Sequence, residues 1–195
     1  MHLGVDSFVS SVTDPTDGRV IAPEERMGHL LEEIALADQV GLYSFGIGEH
    51  HRSEYYDSAP SIILAAAAAR TENIRLGSAV KVLSADDPVR VFQEFATLDL
   101  ISKGRIDLVV GRGSFTESFP LFGLDLADYD SLFAEKLDLL LQIRDNVEVT
   151  WSGKHRPALN RQGIYPRPLQ DPLPIWVASV EHPNPSLVQG FWGCR

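Results

Sequence analysis

Apolar positions recur along the chain in two alternating rhythms. "HLGVDSFV" (2–9) has the short mixed pattern of a strand and runs into the turn-rich "TDPTDGR". "PEERMGHLLEEIALADQVG" then sets Met27, Leu30, Leu31, Ile34, Ala37 and Val40 at helical spacing, with Pro23 suited to the first turn and Gly41 to the C-terminal cap. "YSFGIG" is a second strand. "SAPSIILAAAAART" predicts a helix that is apolar nearly all round and therefore buried, with Ser58 as its N-cap. "IRLGSAVKVL" is a third strand. "DDPVRVFQEFATLDLISKG" is a helix with Asp87 as cap, Pro88 in the first turn and Gly104 beyond the end. "RIDLVVGRG" makes a fourth strand, "YDSLFAEKLDLLLQIRDN" a fourth helix and "LPIWVAS" a fifth strand. The stretch 149–173, polar and carrying prolines 157, 166, 168 and 172, reads as a loop excursion.

The pattern predicts helices near 24–40, 59–71, 88–102 and 129–145. They alternate with parallel strands near 2–8, 43–47, 74–79, 106–110 and 174–178. Alternation at roughly 30-residue spacing is what right-handed βαβ units on a parallel sheet require. A closed (β/α)8 barrel takes about 250 residues. With 195 residues the chain fits four βα units and a fifth strand.

Composition narrows the partners more than the fold. The formal net charge is −10, whereas nucleic acid and anionic membranes call for a basic surface. No apolar run approaches the ~20 residues of a membrane span, and the start lacks the basic and apolar regions of a secretory signal. The single cysteine, Cys194, excludes an internal disulfide framework and suits a reducing compartment. The expectation is a cytoplasmic protein with no nucleic-acid or membrane partner.

In parallel α/β proteins the site lies at the carboxyl ends of the strands. Four polar clusters fall there: Asp6 to Ser10, Glu49 to Arg52, Ser78 to Ser84, and Gly111 to Phe115. Imidazoles titrate near about pH 6.5, so His50 and His51 are suited to moving protons. The helical i, i+4 spacing or further His and Cys donors of a metal site are missing, so no metal is expected. The bland alternative has one histidine on the rim of the sheet and the other in solvent. In "VVGRGSF", Arg112 between glycines can make a bidentate contact to phosphate, although a third glycine of the dinucleotide fingerprint is absent. A turn with a solvated arginine fits the same letters. Small residues at 77–79 would let a flat ring approach the backbone, or would simply pack tightly.

Taken in order, "GEHH", "LGSAVKVLSADDPVR", "LDLISKGRIDLVVGRG" and "RPLQDPLPIWVAS" resemble the bacterial luciferase-like family of flavin-dependent monooxygenases over residues 2 to about 178. The resemblance implies a (β/α)8 TIM-barrel type fold, here truncated after about four βα units and a fifth strand. It implies a homodimer and a cofactor, reduced FMN or, in a sister branch, the deazaflavin F420. FMN would act with O2 on a small organic substrate; an F420-dependent oxidoreductase or a non-catalytic flavin-binding fragment are the alternatives. By the same resemblance His50 lies near the reactive edge of the flavin. The Ala79–Val80 peptide matches a cis bond supporting the ring, Arg112 matches the arginine that holds the phosphate, and Ser179 falls beside the cofactor.

The match ends after Ser179, at "VEHPNPSLVQGFWGCR". Codons permitted for 179–195 exist which, read in a shifted frame from the last base of the Ser179 codon, give GGTPESFARAGLLGLP, a continuation typical of the family. The expectation is an incomplete barrel domain over 1–179 and an aberrant, frameshifted tail over 180–195, irregular and loosely packed.

Overall fold

The structure, a computed structural model, describes residues 2–178. Five strands run parallel: β1 (Gly4–Ser7), β2 (Ser44–Ile47), β3 (Arg75–Ser78), β5 (Ile106–Gly111) and β8 (Ile175–Val177). They lie in the order β1-β2-β3-β5-β8, and the two-residue β4 (Lys81–Val82) pairs with the far end of β5. Helices α1 (Pro23–Gln39), α2 (Pro60–Ala68), α3 (Pro88–Ser102) and α5 (Tyr129–Asp145) alternate with these strands, and a four-residue α4 (Ser118–Leu121) follows β5. The expected order and approximate ranges are thus present, and among the described residues the sheet does not close.

The strand period of two divides the sheet into two faces. On one, Phe45, Ile47, Leu76, Ile106, Leu108 and Val110 join a continuous core with the helices. Leu30 and Ile34 of α1, Leu64 of α2, Phe92 and Phe95 of α3, and Leu139, Leu140 and Ile143 of α5 supply its other half. On the opposite face the register aligns Asp6, Gly46, Gly77 and Asp107 in one row. This face lines an open trough of about 840 Å³. The glycines belong to the row because a side chain at Gly46 would collide with the Asp6 carboxylate, and one at Gly77 would come 2.9 Å from the Asp107 carbonyl. Lower on the same face, Asp107 holds Arg75 through two bonds of 2.6 and 2.9 Å.

Helix ends follow local chemistry where polar groups are available. Asp87 accepts the amides of Val89 and Arg90, as expected of a cap. Gly41 turns the chain out of α1 with φ +79°. At the end of α2 the guanidinium of Arg105 donates to the carbonyls of Ala68, Thr71 and Ile74 and to the Thr71 hydroxyl, while its Nε donates to Ser102.

Three expectations need correction. Ser58 does not cap α2: the cap position is Ala59, without a side-chain bond, because Pro60 at the first turn has already dispensed with one amide donor. Nor is α2 buried all round, since Ile62 on its outer face is 71% exposed. The 149–173 excursion is not all loop. It folds back as an antiparallel hairpin of β6 (Glu148–Trp151) and β7 (Leu159–Gly163), anchored to the core through Val149, Trp151 and Ile164. The tail 180–195 lies outside the described residues.

Candidate functional site

The four clusters at the strand ends meet. Phe8, just past β1, packs edge-on against His50 at 4.8 Å between ring centres; Tyr55 stacks on the same imidazole at 4.4 Å, and Phe115 lies 5.4 Å away. Arg52 sits 3.7 Å from the Phe115 ring centre and is held by Glu117 at the start of α4. The chain can pass this closely because Gly48 carries no side chain: a methyl there would lie 2.8 Å from both Phe8 and Asp57 and 3.0 Å from His50.

His50 is fixed from behind. Its Nδ1 is 2.8 Å from Oδ2 of Asp57, and its backbone N–H donates to Oδ1 of the same residue at 3.1 Å. Asp57 is wholly buried, and burial pushes its carboxyl above the usual range against the opposing pull of the imidazole. His51 is equally enclosed, with Nε2 3.2 Å from Oε1 of Glu49. The bland reading, with one histidine in solvent, therefore does not describe this pair: the side chains are 12% and 9% exposed.

Glu49 ties this loop to β4. Its Oε2 accepts the amide of Val82 at 2.9 Å and lies 3.0 Å from Nζ of Lys81, which also reaches Asp86 at 2.8 Å. Burial alone would lower the Lys81 ammonium; Glu49 and Asp86 outweigh it and hold the group above the ordinary lysine value. Lys136 of α5 donates to the Ser84 carbonyl at 2.6 Å, and there burial outweighs the pull of Asp86, Asp87 and Glu135 and lowers the ammonium.

Ala79 and Val80 line the trough, and the peptide between them is cis. Val80 also closes on β5, where a side chain at Gly111 would lie 2.8 Å from it. Asp6 reaches the trough from β1 with its carboxyl raised by burial. His50 and Arg112 are not part of the trough wall; they stand at the ends of β2 and β5. Arg112 is 39% exposed in its side chain, pairs with the open Asp130 at 3.3 Å and lies 5.4 Å from the Phe133 ring. Ser179 lies outside the described residues.

Two members of this arrangement escaped the sequence reading. Asp57 follows His50 by seven residues in a turn-rich stretch, a spacing with no fixed meaning. Lys81 did leave a signal, a cation inside the apolar run "AVKVL", where burial demands a partner.

What the arrangement can do follows from its parts. The trough has the size of a cofactor site, which typically spans about 300–1,000 Å³. Gly77 to Val80 give it a side-chain-poor wall that a planar ring can approach. A guanidinium suited to phosphate and an oriented imidazole stand beyond its end. These residues fit a flavin mononucleotide.

Comparison with known proteins agrees. A monooxygenase from Streptomyces bottropensis superposes with a TM-score of 0.81 at 27% identity, covering 91% of this chain and 53% of that one. The 4-hydroxyprotoasukamycin monooxygenase of Streptomyces nodosus subsp. asukaensis is 32% identical over 169 residues, 84% of this chain and 44% of that protein. The oxygenase component of the flavin-dependent trigonelline monooxygenase of Acinetobacter baylyi is 27% identical over 164 residues, 80% of this chain and 43% of its own length. The chain thus spans less than half the length of these curated relatives. Among the described residues no helix is long and apolar enough to cross a membrane. The luciferase-like monooxygenase family matches residues 6–186, and the chain belongs to that family.

Proposed function

We propose that this chain provides the cofactor-facing part of a flavin-dependent monooxygenase, a cytoplasmic enzyme acting with reduced FMN and O2 on a small organic substrate. The observation that carries this reading is that the carboxyl ends of the parallel strands hold both an oriented, enclosed imidazole and a guanidinium paired to an exposed carboxylate that an anion can replace. The flavin-dependent relative from Acinetobacter baylyi supports it. The barrel domain of this reading comprises residues 1–179.

Ala79 and Val80 would back the flavin ring. Arg112 would exchange Asp130 for the phosphate through a charge-assisted bond, and Ser179 would stand beside it. Bound and reduced, FMN supplies the reaction with oxygen. The protein's part is to hold the ring, exclude water with Phe8, Tyr55 and Phe115, and offer His50 as the group that takes or gives a proton. A homodimer belongs to the same proposal. The outer faces of α2 and α3, with Ile62 71% and Ile101 47% exposed, suit an apolar contact, and sedimentation at rising concentration tests it.

Titrating FMN and F420 separately against the chain, with fluorescence quenching as readout, tests the cofactor. Saturable FMN binding is expected. Preference for F420 would move the reading to an F420-dependent oxidoreductase, and saturable binding of neither would leave a non-catalytic fragment.

A further inference from the structure

Asp57 stands behind His50, and its functional meaning rests on the flavin reading above. We propose that Asp57 is a positioning residue that fixes the tautomer of His50, keeping the proton on Nδ1 and leaving Nε2 as a proton acceptor. Both oxygens of Asp57 face donors on the same residue: Oδ1 takes the backbone N–H of His50 at 3.1 Å and Oδ2 faces Nδ1 at 2.8 Å. An ionised carboxylate has only acceptor sites, so the ring nitrogen opposite it must bring the hydrogen. In a neutral imidazole the other nitrogen is then bare. Among the described residues Nε2 has no hydrogen-bond partner.

The ring cannot readily turn its Nδ1 away from Asp57. Tyr55 stacks on one face with the planes 29° apart, while Phe8 meets the ring nearly edge-on and Phe115 is tilted against it. Of the charged and titratable groups nearby, Arg52, stacked on Phe115, and Glu117 satisfy each other, Glu49 turns to Lys81 and His51, and Tyr55 offers its ring face. Asp57 is therefore the charged group in hydrogen-bond contact with the imidazole. A mere turn-former would not need a charge. An asparagine or serine would satisfy the His50 amide, whereas a fully buried carboxylate is costly unless its second oxygen is used.

Asp57→Asn separates these roles sharply. The amide oxygen must stay with the His50 backbone N–H, because that donor needs an acceptor. The NH2 group then faces Nδ1, which must become the acceptor, and the ring proton moves to Nε2. The variant keeps shape and backbone bonding but turns Nε2 from acceptor into donor.

The test reads the ring nitrogens directly, by 15N NMR of the flavin-free chain in mildly alkaline solution. We expect a protonated Nδ1 and bare Nε2 in the unaltered protein, and the reverse in Asp57→Asn. In a longer protein, this chain completed with the remaining barrel of a luciferase-like relative, turnover should fall about 10²–10⁴-fold, the range of a misplaced proton-transfer group, with FMN affinity changed less than about twofold. A bare Nδ1 in the unaltered protein overturns the proposal without any variant. So does an Asp57→Asn protein with tautomer and turnover unchanged. Absence of flavin turnover in the unaltered longer protein would count against the flavin reading alone, because the tautomer is measured without cofactor.

Discussion

The ends of β2 and β5 hold their key residues in opposite ways. His50 and its neighbours are enclosed. A buried carboxylate stands behind the ring, aromatic rings lie around it, and the Glu49–Lys81 clamp joins its loop to the strand that follows the cis peptide. Arg112 is half-open, and its partner Asp130 is 83% exposed. A group that must present one nitrogen in one orientation gains from being built in before any ligand arrives. A group that must surrender its counter-ion to a ligand gains from a weak one, and exposed ion pairs contribute only about 0–1 kcal/mol. The contrast is the one the proposed function calls for, with proton handling at the first end and anion capture at the second.

The largest expected effect strikes the enclosed end. Lys81→Met leaves the buried Glu49 carboxylate without its cation, and breaking such a pair typically costs about 3–5 kcal/mol. The sign with pH is fixed by the raised lysine. Its contribution is fully present below the ordinary value of 10.5 and is lost as pH rises through the higher folded value. Urea melts should show the loss at neutral pH and a flatter alkaline limb in the variant; a loss under 1 kcal/mol would mean the clamp is not held as described. Gly48→Ala comes next. Its methyl would press on Asp57, Phe8 and His50 together, which overpacking data put at about 1–3 kcal/mol. Imidazole resonances of His50 should move with it, and a silent substitution would contradict the tight passage of the chain.

Effects at the open end should appear in binding and hardly in stability. Arg112→Ala is expected to change the melt by less than about 0.5 kcal/mol. Losing a charge-assisted phosphate contact of about 1.5–3 kcal/mol should weaken FMN roughly 10- to 150-fold. A large stability loss with unchanged FMN affinity would reverse the contrast. Asp130→Asn should be the mildest change, leaving stability alone and tightening FMN slightly, most visibly at low salt. Weaker FMN in that variant would make Asp130 a ligand-side partner instead of a placeholder.

Much of the frame was legible because helical and strand periods are properties of short windows. Leu30 and Ile34, or Phe92 and Phe95, declare a buried helical face wherever they occur, and Asp87 with Pro88 marks a helix start without help from the rest of the fold. The β6–β7 hairpin was not legible: β7 is exposed along nearly its whole length, so no apolar alternation marks it. Exposure of Ile62 was hidden for the opposite reason, since an all-apolar helix does not say which face meets a neighbour. At the site, His50 could be read from its place at a strand end. Asp57 could not, because its meaning lies in a fold-back of seven residues that brings a carboxylate behind a ring. The Glu49–Lys81 contact joins the loop after β2 to β4 and needed the parallel register to bring them together.

Arg105 has a consequence for how the molecule opens. One guanidinium gathers the last turn of α2, the residues leading into β3 and the final turn of α3. Fraying at any of these three places breaks bonds belonging to the other two, so they should open as one cooperative unit. Amide protons at Ile74 and Leu76 should then exchange with solvent on a common, slow schedule, while exposed ends elsewhere, such as the β6–β7 hairpin, exchange early.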